Sequence, residues 1–206
     1  MTSSPQRRLA STAGRRDYRP SERRTPLPEA ILTMALLTGG LWVLEFADVL
    51  SGHRLDGLGV RSRDVADLWS ILTVPLAHAN WAHLIANTLP FLVLGLLVLA
   101  SAALREFLVA GLIIVLSSGL LAWLLSPPYT NTLGASGVIF GWLTYLLVRG
   151  FYSGRAGQIV MAAVVFLGFG AMLWGVLPTN PGVSWQGHLG GAIGGVLAAR
   201  HLHKRS

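Results

Sequence analysis

Six apolar stretches separated by short polar breaks constrain this chain more than any other feature: 30–50, 81–100, 107–125, 134–148, 158–177 and 187–202. The first three and the fifth approach or exceed the ~20 residues that a helix needs to cross a bilayer. Hydrocarbon offers no partner to a backbone N–H or C=O, so each spanning segment must close its own hydrogen bonds, as an α-helix does. Composition agrees, with 52% of the 206 residues hydrophobic and only 12% charged, too apolar for an ordinary soluble domain. The pattern predicts an all-α membrane protein, a bundle of six transmembrane helices in contact with the lipid bilayer. The fourth and sixth runs are short. Residues 134–148 would extend roughly 22 Å at ~1.5 Å per residue, against ~30 Å of hydrocarbon. These two helices are expected to be partly buried and to begin below the membrane surface, beneath a water-filled cavity.

Arginine placement orients the bundle. With six spans both ends share one side. That side holds Arg7, Arg8, Arg15, Arg16, Arg19, Arg23 and Arg24, then Arg105, Arg149, Arg155, Arg200, Lys204 and Arg205. The other side holds Arg54, Arg61 and Arg63, offset by Asp56, Asp64 and Asp67. The positive-inside rule therefore puts both termini in the cytoplasm of a cell membrane. Three regions follow: a disordered basic cytoplasmic tail at 1–28, a six-span domain at 29–203 and a cytoplasmic end at 204–206. No apolar run lies in the tail, so a cleaved signal peptide is not expected. The net charge of +7 flanks apolar runs, which fits membrane topology and no nucleic-acid partner. There is no cysteine, which excludes a thiol nucleophile, disulfides and cysteine-ligated metal. The outer loop 51–79 carries Trp69 in an apolar run that suits the membrane interface.

Polar side chains inside apolar runs are costly and face a partner or a cavity. Ser136 stands between Gly134 and Gly137 where a polar loop enters the fourth run. At a helix start, free N–H groups and the positive end of the dipole would surround its hydroxyl; an N-cap serine on a small-residue face is the plain alternative. His83 and Asn87, four apart, share one face of the second helix; interhelical hydrogen bonding would also explain them. His78, at the outer boundary, is as suited to anchoring a loop as to chemistry. His188 follows Gly187 on the sixth helix, where Gly187, Gly191 and Gly195 recur every four residues. That stripe suits close packing against Gly137 and Gly141. In the six-span arrangement the second, fourth and sixth helices all run inward, so His83, Asn87, Ser136 and His188 fall at similar depth near the outer face. A nucleophile, a base and two further hydrogen-bonding groups suit acyl transfer.

The H-x-x-x-N of His83–Asn87, the G-x-S-G around Ser136 and the G-H of Gly187-His188 resemble the three signatures of rhomboid intramembrane serine proteases, over all six runs and in the family's order. The resemblance implies Ser136 as nucleophile and His188 as general base, a dyad without a carboxylate. It also implies an oxyanion site from Asn87, His83 and the Ser136 backbone N–H. Gly134, Gly137, Phe140 and His78 are read beside them as supporting residues. The reaction would be endopeptidase cleavage of transmembrane segments of other proteins near their outer ends, from an active site open to the outer face. Neither a cofactor nor a metal is implied. Two positions depart from patterns common in the family. A Trp-Arg pair in the first outer loop is here Trp69-Ser70, and a tyrosine four after the serine is here Phe140, which can stack on an imidazole but cannot hydrogen-bond. Three other readings compete: a catalytically inactive rhomboid-like protein that binds membrane clients, a proton- or ion-handling transporter, and a metallohydrolase using His78, His83 and His188. The oligomeric state is left open.

Overall fold

The computed structural model describes residues 24–180 and 182–203; most of the expected tail, Pro181 and the expected 204–206 end lie outside them. Among the described residues six α-helices form: α1 (Leu27–Ser51), α2 (Trp81–Ser101), α3 (Leu104–Leu125), α4 (Ser136–Ser153), α5 (Ala156–Phe169) and α6 (Trp185–His203). Four helical segments are long and apolar enough to cross a membrane: α1, α2, α3, and Ala156–Val176, in which a 3-10 turn extends α5. Their outward faces are apolar. On α3, Leu104, Leu108, Leu112, Leu116, Leu120 and Leu124 recur every four residues and are all exposed, as a helix face against lipid tails requires.

Local chemistry sets the helix ends. Helix α1 begins at Leu27, inside the expected tail, because Pro28 falls in its first turn, where the missing proline N–H costs nothing. It ends at Gly52 with φ 72°, the left-handed conformation that glycine adopts at a helix C-terminus. Asn80 caps α2, its Oδ1 accepting the His83 N–H at 2.9 Å. Helix α4 runs past the expected 134–148 at its C-terminal end but stays shorter than α1, α2 and α3. Its 18 residues make about 27 Å at ~1.5 Å per residue, and it is not among the four segments above. The Arg149 guanidinium is buried, donates to the Ser101 Oγ at 2.7 Å and lies 5.6 Å from the Tyr145 ring centroid. Helix α6 likewise outruns the expected 187–202 at both ends.

Helix α4 is the centre of the bundle. It packs against α2, α3, α5 and α6, while α6 lies against both α3 and α4. Glycine permits that closeness. A Cβ on Gly191 would overlap the Gly137 carbonyl, and one on Gly195 the Gly141 carbonyl. Three serine and threonine hydroxyls then tie the helices together: Ser117 Oγ donates to Gly190 O, Ser118 Oγ to Gly187 O, and Thr144 Oγ1 to Ala192 O, each at 2.8 Å. Such bonds are how polar side chains hold helices together in lipid.

The purely helical expectation omits one feature. Two short strands, β1 (Val60–Arg61) and β2 (Asn131–Thr132), pair antiparallel with Val60 opposite Thr132. The ladder ties the 51–79 loop to the segment that enters α4. Gly134 N–H continues the tie by donating to Val74 O at 3.0 Å. Within this loop Trp69, Leu72 and Val65 are exposed, whereas Ser70 is fully buried and donates its hydroxyl to Asp67 O.

Candidate active site

Ser136 is the first residue of α4, and among the described residues no side chain caps that helix start. The leading N–H groups of a helix have no intrahelical acceptor, and the dipole makes this end positive. Gly134, two residues earlier, has φ 118°, a conformation open to glycine and strained for other residues. Space there is equally restrictive. A Cβ on Gly134 would lie 2.6 Å from His83 Cε1, 2.8 Å from His83 Nε2 and 3.6 Å from Asn87 Nδ2. The two polar side chains of α2 are thus pressed against the loop that turns into Ser136.

His188 enters from α6. Its Nε2 lies 2.9 Å from Ser136 Oγ, and its Nδ1 lies 2.9 Å from the Gly175 carbonyl oxygen. A carbonyl can only accept, so Nδ1 carries the proton and donates to it. In the neutral ring Nε2 is then the lone-pair nitrogen, ready to accept the Ser136 hydroxyl proton. Phe140, one turn along α4 from Ser136, stacks on the imidazole with ring centroids 4.1 Å apart and planes 12° apart. The His188 side chain is thereby held at one nitrogen and on one face, with the other nitrogen on the serine.

Asn87 is buried, and its Nδ2 has no hydrogen-bond acceptor among the described residues. A buried amide of this kind is a donor in want of an acceptor. His78 is also buried. It meets His83 edge to face at 5.2 Å, and its Nε2 accepts the Ala135 N–H at 3.4 Å. Burial first, and then the neighbouring His83, push the His78 pKa down to about 4. It is a neutral acceptor that steadies the residue before Ser136.

The structure does not support the three-histidine metal site. Among the described residues, Asp48, His53 and Asp56 are brought together as three ligand-type side chains, whereas His78, His83 and His188 are not. Both ring nitrogens of His188 are already engaged by Ser136 and Gly175. The pieces that sequence reasoning missed are Ser117, Ser118, Ser184 and the Gly175 carbonyl. Ser184 was legible in principle. It stands three residues before Gly187, the spacing of an N-cap, and its Oγ accepts the Gly187 N–H at 3.2 Å. The others serve through partners 13 to 73 residues away, which no local pattern signals.

A helical membrane bundle with a serine and a histidine hydrogen-bonded at a helix start belongs, by architecture, with membrane-embedded proteins that carry a serine–histidine pair. Comparison with known proteins narrows the class. The sequence profile of the rhomboid domain matches residues 65–205. The uncharacterized protein Rv1337 of Mycobacterium tuberculosis is 44% identical over 177 residues, covering 82% of this chain and 72% of that protein. The uncharacterized protein ML1171 of Mycobacterium leprae is also 44% identical over 177 residues, covering 82% of this chain and 68% of its own length. Rhomboid protease GluP of Bacillus subtilis is 31% identical over 140 residues, 65% of this chain and 26% of that protein. The chain belongs to the rhomboid family.

Proposed function

We propose that this protein is an intramembrane serine endopeptidase that cuts transmembrane segments of other membrane proteins near their outer ends. The observation that carries the reading is the 2.9 Å contact between Ser136 Oγ and His188 Nε2, with Nδ1 tied to Gly175 O. Family membership supports it independently, and the relative named as a rhomboid protease extends it. All six helices span the membrane in this reading, both termini are cytoplasmic and the site opens outward.

The chemistry then runs through the chain's own residues. His188 Nε2 takes the Ser136 proton as Oγ attacks the scissile carbonyl carbon. The imidazolium that forms is held by its Nδ1–H bond to Gly175 O and by the face of Phe140. The developing oxyanion is received by the Ser136 N–H at the positive end of α4, the Asn87 amide and His83. His188 next returns the proton to the leaving amine. Water then attacks the acyl-enzyme with the same base. Among the described residues no carboxylate meets the imidazole; the Gly175 carbonyl orients it. A substrate helix must first expose a peptide bond, so segments of weak helix propensity are the favoured substrates.

A fluorophosphonate probe applied to the detergent-solubilised protein tests the reading. The wild type should be labelled on Ser136, and Ser136→Ala should not be. An unlabelled wild type that retains its fold would favour a client-binding protein without hydrolytic activity.

A further inference from the structure

We infer that the outer end of α1 carries a binding site for a zinc-class divalent cation, formed by Asp48, His53 and Asp56 with Glu45 behind them. Asp48, His53 and Asp56 each present a ligand atom, all within 4.8 Å of one another. The α1 C-terminus arranges them. The His53 backbone N–H donates to Asp48 O at 2.9 Å, and the Leu55 N–H donates to Asp48 Oδ1 at 2.6 Å. The second carboxylate oxygen, Oδ2, lies 2.9 Å from His53 Nδ1.

Glu45 is the independent observation. It is 2% exposed, and neither carboxylate oxygen has a hydrogen-bond partner among the described residues. It lies one turn inward of Asp48 on the buried stripe of α1, and it interacts electrostatically with all three members of the group. Asp56 Oδ1 is buried and unpartnered as well. A native fold does not normally leave such oxygens unsatisfied, and a bound ion is one physical remedy. Charge argues the same way. Three carboxylates share one imidazole, and among the described residues neither Glu45 nor Asp56 has an ion-pair partner.

The donor set selects the cation. Imidazole with carboxylate suits zinc, whereas magnesium and calcium prefer oxygen alone. Zinc bonds of about 2.0–2.2 Å put tetrahedral ligand atoms roughly 3.3 Å apart. The present spacing therefore closes on an ion with a small shift of the exposed His53 and the half-exposed Asp56. The consequence reaches the site of Ser136. Asp56 O accepts from Asn131 Nδ2 at 2.9 Å, and Asn131 pairs with Arg61 in the ladder that precedes α4. An ion here would brace the outer loop against the segment that leads into Ser136. Its role is structural and stands apart from the serine chemistry.

The test uses the full-length protein without a histidine tag, in detergent, stripped by chelator and then titrated with Zn2+ by calorimetry and thermal melting. One Zn2+ per chain should bind with a Kd of micromolar or below and raise the melting temperature. The surface variants His53→Ala and Asp56→Asn should each fold and weaken binding by more than about 10-fold, in line with the sensitivity of metal sites to their surroundings. Glu45→Gln should weaken it too. The inference fails if no zinc binds below millimolar concentration, or if binding survives these variants and instead follows His201→Ala. Equal affinity for Ca2+ or Mg2+ would overturn the assignment to the zinc class.

Discussion

Gly191 on α6 lies so close to Gly137 on α4 that a Cβ on Gly191 would overlap the Gly137 carbonyl oxygen. That approach sets the separation of the two helices one turn from His188 and one residue from Ser136. Backbone cannot yield as the end of a flexible side chain can. Gly191→Ala should therefore push α6 away from α4, destabilise the protein by about 1–3 kcal/mol, typical of overpacking, and lower turnover further by separating Ser136 from His188. Gly111→Ala is the control, since a Cβ there meets nothing within 4 Å. It should keep activity and leave the melting temperature unchanged or slightly higher, since alanine is the better helix former. Melting and turnover of both variants check the pair.

Ser136→Ala and His188→Ala should each abolish proteolysis, and the double variant should be no worse than either single one. Residues that act as one unit lose their function together, so their effects do not add. Melting curves should show all three variants folded, with His188→Ala less stable than Ser136→Ala, because it loses the Gly175 bond and the Phe140 stack as well as the bond to Ser136. Near-normal cleavage by Ser136→Ala would remove the dyad from the account.

Asn87→Ala should lower kcat by roughly 10- to 1000-fold with a smaller change in KM, as loss of one oxyanion donor does. The motive is a buried amide nitrogen without an acceptor, beside the Gly134 turn into Ser136. A rise in KM at constant kcat would instead assign Asn87 to substrate contact. Kinetics on a reconstituted substrate separates the two.

His78 predicts an acid-sensitive fold. Its folded pKa of about 4 lies below the ordinary histidine value of 6.5. The unfolded chain therefore binds the proton more readily than the folded one. The stability from the neutral ring is complete above pH ~6.5 and is lost as pH falls from there toward about 4. Melting temperature should drop across that window, and His78→Gln should show a shallower drop. An equal slope in both proteins would contradict the prediction.

The apolar runs made the helices legible, because a bilayer leaves a spanning chain few alternatives to helix. The short spacing of His83 and Asn87, and the glycines around Ser136 and His188, were likewise visible as local pattern. What stayed hidden was long-range. The partner of Arg149 within the longer α4 is Ser101, 48 residues away. The strand pairing of Val60 with Thr132 is two residues long, too short for any period to show. The Gly175 carbonyl that orients His188 is a backbone atom and leaves no trace in residue type. Asp48 meets His53 and the Leu55 N–H only once the turn after α1 has formed, a pairing that no spacing along the helix signals.

Cleavage of a defined transmembrane substrate, with both proteins reconstituted in liposomes and the products weighed by mass spectrometry, tests the central claim most directly. The account predicts a single cut near the outer end of the substrate's apolar segment with the wild-type protein, and none with Ser136→Ala. Cleavage that persists in Ser136→Ala, or a wild type that binds the substrate and leaves it whole, would contradict it.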